Sequence, residues 1–270
     1  MSNNGKKSLR KNLPASREDA DAASDGIVEG RNPVIEAIRA GKKIDKLYVP
    51  SETHDSSLRY IISKAREAGA AIIETDRRKL DQMSVTRAHQ GVIAIIPVRE
   101  YASYGDVLTK IREKGKVPFF VVCDHITDPN NLGAIIRTAE AAGADAVVIP
   151  KRRSAGLTAS VAKASAGALE HMDVVQVANI SSFLRTLKED GIWVFGTAME
   201  SGKTIYEADF TLPAAIVVGS EGEGISRPAL AECDFTVSVP MMGSISSLNA
   251  SAAAAVVLYE VVRQRKIARS

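Results

Sequence analysis

Residues 238–255 read SVPMMGSISSLNASAAAA. An apolar strand end passes into a loop of Gly, Ser and Met, and the loop enters a long apolar helix through Asn249 and Ser251. A loop this poor in bulk and charge, ending on a helix N-terminus, offers backbone N–H groups and small side chains to whatever lies against it. Asn249 is suited to cap that helix, because its side-chain oxygen can take a free N–H of the first turn. Strand, loop and helix in this order form the repeating unit of an α/β layer, and the segments upstream repeat it.

The strand PFFVVCD (118–124) is apolar on both faces, as a central parallel strand should be. The loop HITDPNN leads into the helix LGAIIRTAEAAG (132–143). Strand DAVVIP, loop KRRSAGLT and one helix, SVAKASAGALEHM (160–172), come next. Strand VVQVAN, helix SSFLRTLKEDG and strand IWVFGTA follow. Strand AAIVVGS (214–220), the turn EGEGIS, a short helix around RPALAECD and the strand FTVSVP complete the run up to the final helix, 249–267. This pattern predicts a parallel, doubly wound α/β layer with its ligand outside the carboxyl ends of the strands.

A smaller layer precedes it. In IVEGRNPVIEAIRAG, Val34, Ile35 and Ile38 fall at helical spacing, with Pro33 in the first turn and Gly41 at the far end. A strand at 45–50, an amphipathic helix at 56–69, a strand at 70–75, a short helix and a strand at 91–98 complete an α/β domain over 27–98. Residues 99–117 form a linker and the opening helix of the second domain, 118–270. Residues 1–26 are polar and aperiodic and predict a disordered tail.

Bulk properties narrow the class. The 270 residues are 45% hydrophobic and 25% charged, an ordinary globular balance with room for two domains. No run approaches the roughly 18 apolar residues of a membrane span, and no apolar stretch follows the basic N-terminus as a secretory signal requires, so a cytoplasmic protein is expected. Cys123 and Cys233 stand far apart in apolar, strand-like runs and read as free thiols; no metal-ligand spacing exists. A net charge of +3 is compatible with a nucleic-acid partner without singling one out.

Three polar constellations follow the carboxyl ends of strands. The first, DHITDPNNLGAIIRT, sets Asn131 at a helix start and Arg137 six residues on. In an apolar helix Arg137 needs a partner, either a carboxylate or a phosphate held by bidentate hydrogen bonds. The second, Gly219 to Ser226 (GSEGEGIS), is rich in glycine but is neither the dinucleotide fingerprint nor a phosphate loop. The third is the opening stretch. Two polar spots in the first domain, Gly30-Arg31-Asn32 and 87–91 (RAHQG), read as turn chemistry or as RNA contacts.

Taken together, NLGAIIRTAEAAGAD, VVGSEGEGIS and VSVPMMGSISSLNASAAAAVVLYE resemble the motifs of the SpoU/TrmH branch of the SPOUT methyltransferases, which make 2′-O-methyl ribose in RNA. The resemblance spans about residues 27–267. EGRNPVIEAI and HQGVIAIIP resemble the ribosomal-protein-like substrate-binding domain of members acting on a guanosine of 23S ribosomal RNA. The resemblance implies a parallel-sheet SPOUT domain with a deep trefoil knot, S-adenosylmethionine as cofactor, RNA as partner, a homodimer with the final helix near its interface, and no metal. It implies a cofactor pocket of Thr197, Gly219, Val239, Met241, Ser247 and Leu248. It implies a catalytic set of Arg137, Asn131, Glu221, Ser247 and Asn249. Arg31, Asn32, His89, Gln90 and Arg152 are assigned to RNA contact. A transfer RNA methyltransferase and a non-catalytic RNA-binding or assembly factor of the same fold are the alternatives.

Overall fold

A computed structural model describes residues 26–51, 55–199 and 201–268; the tail expected at 1–26 lies, but for Gly26, outside the described residues. The first layer runs β1 (Ile27–Glu29), α1 (Arg31–Arg39), β2 (Lys46–Pro50), α2 (Ser56–Glu67), β3 (Ala71–Thr75), α3 (Arg77–Met83) and β4 (Ile93–Ile95). Its sheet has the order β1-β4-β2-β3, parallel only between β2 and β3. Asp55 caps α2 by accepting from Ser57 N and Leu58 N, and Asp76 caps α3 by accepting from Lys79 N. The apolar faces of α1 and α2 meet the sheet through Val34, Leu58, Ile61, Leu47 and Ala94. The stretch expected to lead straight into the first helix instead opens with β1, which pairs antiparallel with β4. A three-residue edge strand carries too short an alternation to announce itself. Gly30, at φ 87°, turns the chain from that strand into α1.

The second layer opens with α4 (Tyr104–Glu113), whose Val107, Leu108 and Ile111 pack with Phe120 and Val122. It continues β5 (Phe119–Cys123), α5 (Pro129–Ala141), β6 (Ala146–Pro150), α6 (Ala159–Ala164), β7 (Asp173–Val177), α7 (Ile180–Glu189), β8 (Trp193–Thr197), β9 (Ala214–Val218), α8 (Arg227–Leu230), β10 (Phe235–Val237) and α9 (Ala250–Ile267). The six strands are all parallel in the order β10-β8-β9-β5-β6-β7. Every residue of β5, β6 and β9 is buried, so these strands read as unbroken apolar runs.

One expected helix, 160–172, is broken. After α6 the chain turns through Ala166 (φ 48°) and Gly167 (φ 89°) into a 3₁₀ turn, Ala168–Glu170. The Ser165 hydroxyl helps end α6, donating to Ala162 O at 2.7 Å and accepting from Leu169 N at 3.3 Å. Helix α5 presses close at this point: a Cβ on Gly133 would lie 2.4 Å from the Ala164 Cβ. Cys123 is buried in β5, but Cys233 lies in the turn after α8, not in a strand-like run. Burial pushes both thiols up to about 12, so neither is a thiolate at neutral pH.

The two layers meet on a polar seam. The buried Asp45 carboxylate accepts from the Tyr101 hydroxyl at 2.9 Å and from Gln176 Nε2 at 2.6 Å. The buried Lys46 ammonium donates to Ser154 O, and Val98 N donates to Leu157 O at 2.8 Å. Gly156 leaves room for this carboxylate: a Cβ there would lie 2.4 Å from Asp45 Oδ2.

Candidate active site

Three loops at the carboxyl edge of the larger sheet build the site. Asp128 caps α5 by accepting from Asn131 N at 3.0 Å, which sets Asn131 in the first turn. The loop after β9 folds back on itself through paired backbone bonds between Ser220 and Gly224, at 3.1 and 3.0 Å. Gly219 makes that fold possible, since a Cβ would stand 2.0 Å from the Gly224 carbonyl carbon. Asp124, 1% exposed at the end of β5, ties the loop down. Its Oδ2 accepts from Ser226 N at 2.8 Å, and its Oδ1 contacts His125 Nδ1 at 2.7 Å. Asp124 opens the first constellation but was given no role there, although a carboxylate closing an all-apolar central strand was the available signal.

The third loop carries the chain from β10 to α9. Asn249 caps α9 as expected: its Oδ1 accepts from Ser251 N at 2.9 Å and Ala252 N at 3.3 Å. Its amide nitrogen donates to Asn131 Oδ1 at 3.0 Å and also to Glu221 Oε1. Asn131 Nδ2 donates to the same Glu221 oxygen at 3.0 Å. Three loops distant in sequence therefore close on one amide–carboxylate cluster. Glu221 Oε2 makes no hydrogen bond among the described residues.

Beside this cluster opens a cavity of about 230 Å³. Thr197, Gly219, Val239, Met241, Ser247 and Leu248, the six residues expected to hold a cofactor, all line it, together with Ile225 and Leu230. The Thr197 hydroxyl donates to Val217 O at 2.9 Å, which leaves its methyl and backbone to face a ligand. A mostly apolar wall with a few polar groups and open backbone suits an adenosine-sized molecule.

Arg137 stands apart. It lies on α5, is exposed, does not line the cavity and makes no ion pair or hydrogen bond among the described residues. Of the two partners expected for it, the carboxylate is absent among the described residues: α5 is apolar on its packed face, and Arg137 projects from the other. An ion pair with Glu221 is likewise absent.

The candidates assigned to RNA contact divide. Asn32, Gln90 and Arg152 are exposed. Arg31 donates to Asp55 Oδ2 at 2.6 Å and to Gln90 O at 3.3 Å. The bond from Arg31 is the main cause holding the Asp55 carboxyl below its usual range. His89 is only 5% exposed: its Nε2 meets Asp81 Oδ1 at 2.9 Å and its Nδ1 accepts from Gly91 N at 3.0 Å. Its ring scaffolds the turn from within, contrary to the expectation of a side chain presented to RNA. Among the described residues no group of three or more His, Cys, Asp or Glu is placed to hold a metal ion, and no helix is long and apolar enough to cross a membrane.

Comparison with known proteins agrees with this geometry. The SpoU rRNA Methylase family matches residues 118–259, and the RNA 2′-O ribose methyltransferase substrate-binding family matches residues 27–102. A Bacillus subtilis protein, YacO, described as a TrmH family tRNA/rRNA methyltransferase, is 45% identical over 238 residues, covering 88% of this chain and 95% of its own. A tRNA/rRNA methyltransferase of Synechocystis is 41% identical over 93% of this chain and 66% of its own. Among solved structures, the SpoU methyltransferase AviRb of Streptomyces viridochromogenes, in complex with AdoMet, superposes with a TM-score of 0.57 at 26% identity, covering 93% of this chain and 95% of that one. With both layers matched in order, and with Asn131, Glu221 and Asn249 joined in one cluster beside the cavity, the chain belongs to the SpoU/TrmH family of RNA methyltransferases.

Proposed function

We propose that the protein transfers a methyl group from S-adenosylmethionine to a ribose 2′-hydroxyl of RNA, with a guanosine of 23S ribosomal RNA as target, in the cytoplasm. The observation that carries this reading is the closure of Asn131, Glu221 and Asn249 into one cluster at the mouth of a cavity lined by all six expected cofactor residues. AviRb, similar over nearly the whole chain, is solved with this cofactor. Val239 and Leu248 would wall the adenine, and backbone groups of 246–248 would read its edge. Bound there, the cofactor would supply an electrophilic methyl on a sulfonium.

The chain's own residues then have two tasks, holding the ribose and disposing of its proton. A ribose hydroxyl is a poor nucleophile at neutral pH, and its proton must leave as the oxygen becomes an ether. Arg137 stays charged, since a guanidinium pKa exceeds about 12. It therefore grips the substrate phosphate with its fork and orients the ribose. The proton passes to that phosphate or to Glu221, whose Oε2 is left without a partner by the bonds to Oε1. Asn131 and Asn249 hold the carboxylate in place, and Ser247 lines the cavity beside it.

Asn32, Gln90 and Arg152 contact RNA, with Arg31 and His89 shaping the turns that present the first domain's pair. The protein acts as a homodimer. Ala252, Val256, Tyr259 and Arg263 are exposed along one face of α9, and Met242 and Ile245 of the loop before it are 95% and 71% exposed, an apolar surface that suits a second copy. The trefoil knot expected of the family belongs to the same reading. A transfer RNA target is the second possibility, because a structural neighbour at 28% identity over 55% of this chain is described by its methylation of C/U34 on tRNA. Ribose-methylation mapping of total RNA from cells with and without the gene tests the proposal. One 23S site should lose its methyl group; a lost site in transfer RNA would move the target, and no lost ribose methyl anywhere would refute the reading.

A further inference from the structure

Among the cations near the seam between the two layers, two lysines bridge it and two arginines do not. Lys46 donates to Ser154 O, and Lys151 donates to Gly69 O, so each of these ammonium groups ties one layer to the other. Arg66, in the last turn of α2, and Arg152, in the loop after β6, have no such duty. Both are exposed, and neither makes a side-chain hydrogen bond or ion pair among the described residues. They nevertheless line one cavity of about 450 Å³, together with Ala70, Ile72 and Glu74. Glu74 shares the space without pairing with either arginine, so the cavity keeps an excess of positive charge.

Two unengaged guanidinium groups, contributed by different domains across a seam that Lys46 and Lys151 tie together, can converge on one tetrahedral anion. The cavity opens on the same sheet edge as the candidate active site. In the order β9-β5-β6, the tip of β6 is two strands from the tip of β9, roughly 10 Å at the spacing of neighbouring strands. A nucleic-acid backbone seated at the seam therefore reaches the cavity at the β9 tip within a few nucleotides.

We infer that Arg66 and Arg152 form an interdomain clamp for a phosphodiester of the substrate RNA, a backbone site that sets the register of the target ribose. This rests on the reading of the protein as an RNA methyltransferase. It adds a contact that neither domain can make alone. Because the clamp reads backbone charge and no base edge, it acts alike on every RNA that lies across the seam.

The test uses the full-length protein and unmodified in vitro transcripts of 23S ribosomal RNA and of transfer RNA, with binding measured over a range of salt. Arg66→Gln with Arg152→Gln should weaken both transcripts to a similar degree. It should also reduce the slope of log affinity against log salt by about 0.7 to 0.9, the share of the one phosphate that the pair neutralises. The thermal midpoint and S-adenosylmethionine affinity should stay unchanged, and Lys at both positions should restore the slope. An unaltered slope, or a loss confined to one transcript, overturns the clamp. So does a double variant that loses only stabilisation by inorganic phosphate, which would make the cavity a small-anion site. A wild-type protein that methylates neither transcript would instead sink the functional reading, a distinguishable failure.

Discussion

Polar loops occur in both layers, and the two sets are used differently. In the smaller layer they close on themselves. Glu29 accepts from Val85 N, Ser84 Oγ and Thr86 Oγ1; Arg31 pairs with Asp55; His89 is locked between Asp81 and Gly91. In the larger layer, Asn131, Glu221 and Asn249 bond one another beside a cavity that Glu221 lines, and the Arg137 side chain is left free among the described residues. Residues of similar type thus close turns in one place and border a cavity in the other. What separates the cases is whether the bonded cluster surrounds protein or surrounds space.

The comparison can be broken at several points. The largest effect is expected from Gly219→Val, where a side chain would overlap the Gly224 backbone and force the cavity loop open. Cofactor affinity by calorimetry should fall at least a hundredfold, about 2.7 kcal/mol. Retained affinity would mean that this loop does not shape the pocket. Next comes Asp45→Ala at the seam, which removes the acceptor of the half-buried Tyr101 hydroxyl and Gln176 amide. Chemical denaturation should show a loss of about 2 kcal/mol, while cofactor affinity of the folded protein is retained. Equal damage to both would erase the distinction between seam and cavity.

A smaller effect is expected from Arg137→Lys, which keeps charge and loses the fork. Methyl transfer should drop at least tenfold, about 1.4 kcal/mol, with cofactor binding and stability untouched. Near-normal turnover would exclude Arg137 from the chemistry. His89→Ala should cost about 1 kcal/mol of stability through the lost turn bonds. If unfolding were unchanged and RNA binding alone suffered, His89 would belong with the ligand-facing group after all.

The smallest is a pH effect at Glu29. Burial pushes this carboxyl up, but hydrogen bonds from Ser84, Val85 and Thr86 outweigh it and hold the group below its ordinary value of 4.5. A depressed folded-state value means a contribution present above that ordinary range and lost as pH falls through the folded value. Acid titration of unfolding should therefore show a shallower acid-side loss for Glu29→Gln than for the wild type. Parallel acid limbs would show that the turn bonds do not favour the ionised form.

Much of the larger layer was legible in the chain because its central strands β5, β6 and β9 are apolar throughout and four of its helices start on a capping side chain. Asn249 capped α9 as read, and the three motif loops meet through the hydrogen bonds among Asn131, Glu221 and Asn249. The helix expected at 160–172 failed at Ala166-Gly167, since apolar periodicity continues across a left-handed turn and only backbone conformation records the break. Strand β1 was missed because three residues become a strand only when β4 supplies the partner.

By itself the sequence determined the alternation of elements, the placing of polar loops after strand ends and the family motifs, all of them local patterns or short strings of residues. The tertiary structure decided which polar groups are free. Glu221 meets Asn131 and Asn249 across 90 and 28 positions, and Asp45 meets Gln176 across 131. No local pattern encodes such distances; burial and partner are properties of the packed whole. That is also why Arg31 and Arg137, alike as residues, end in an ion pair and in open solvent.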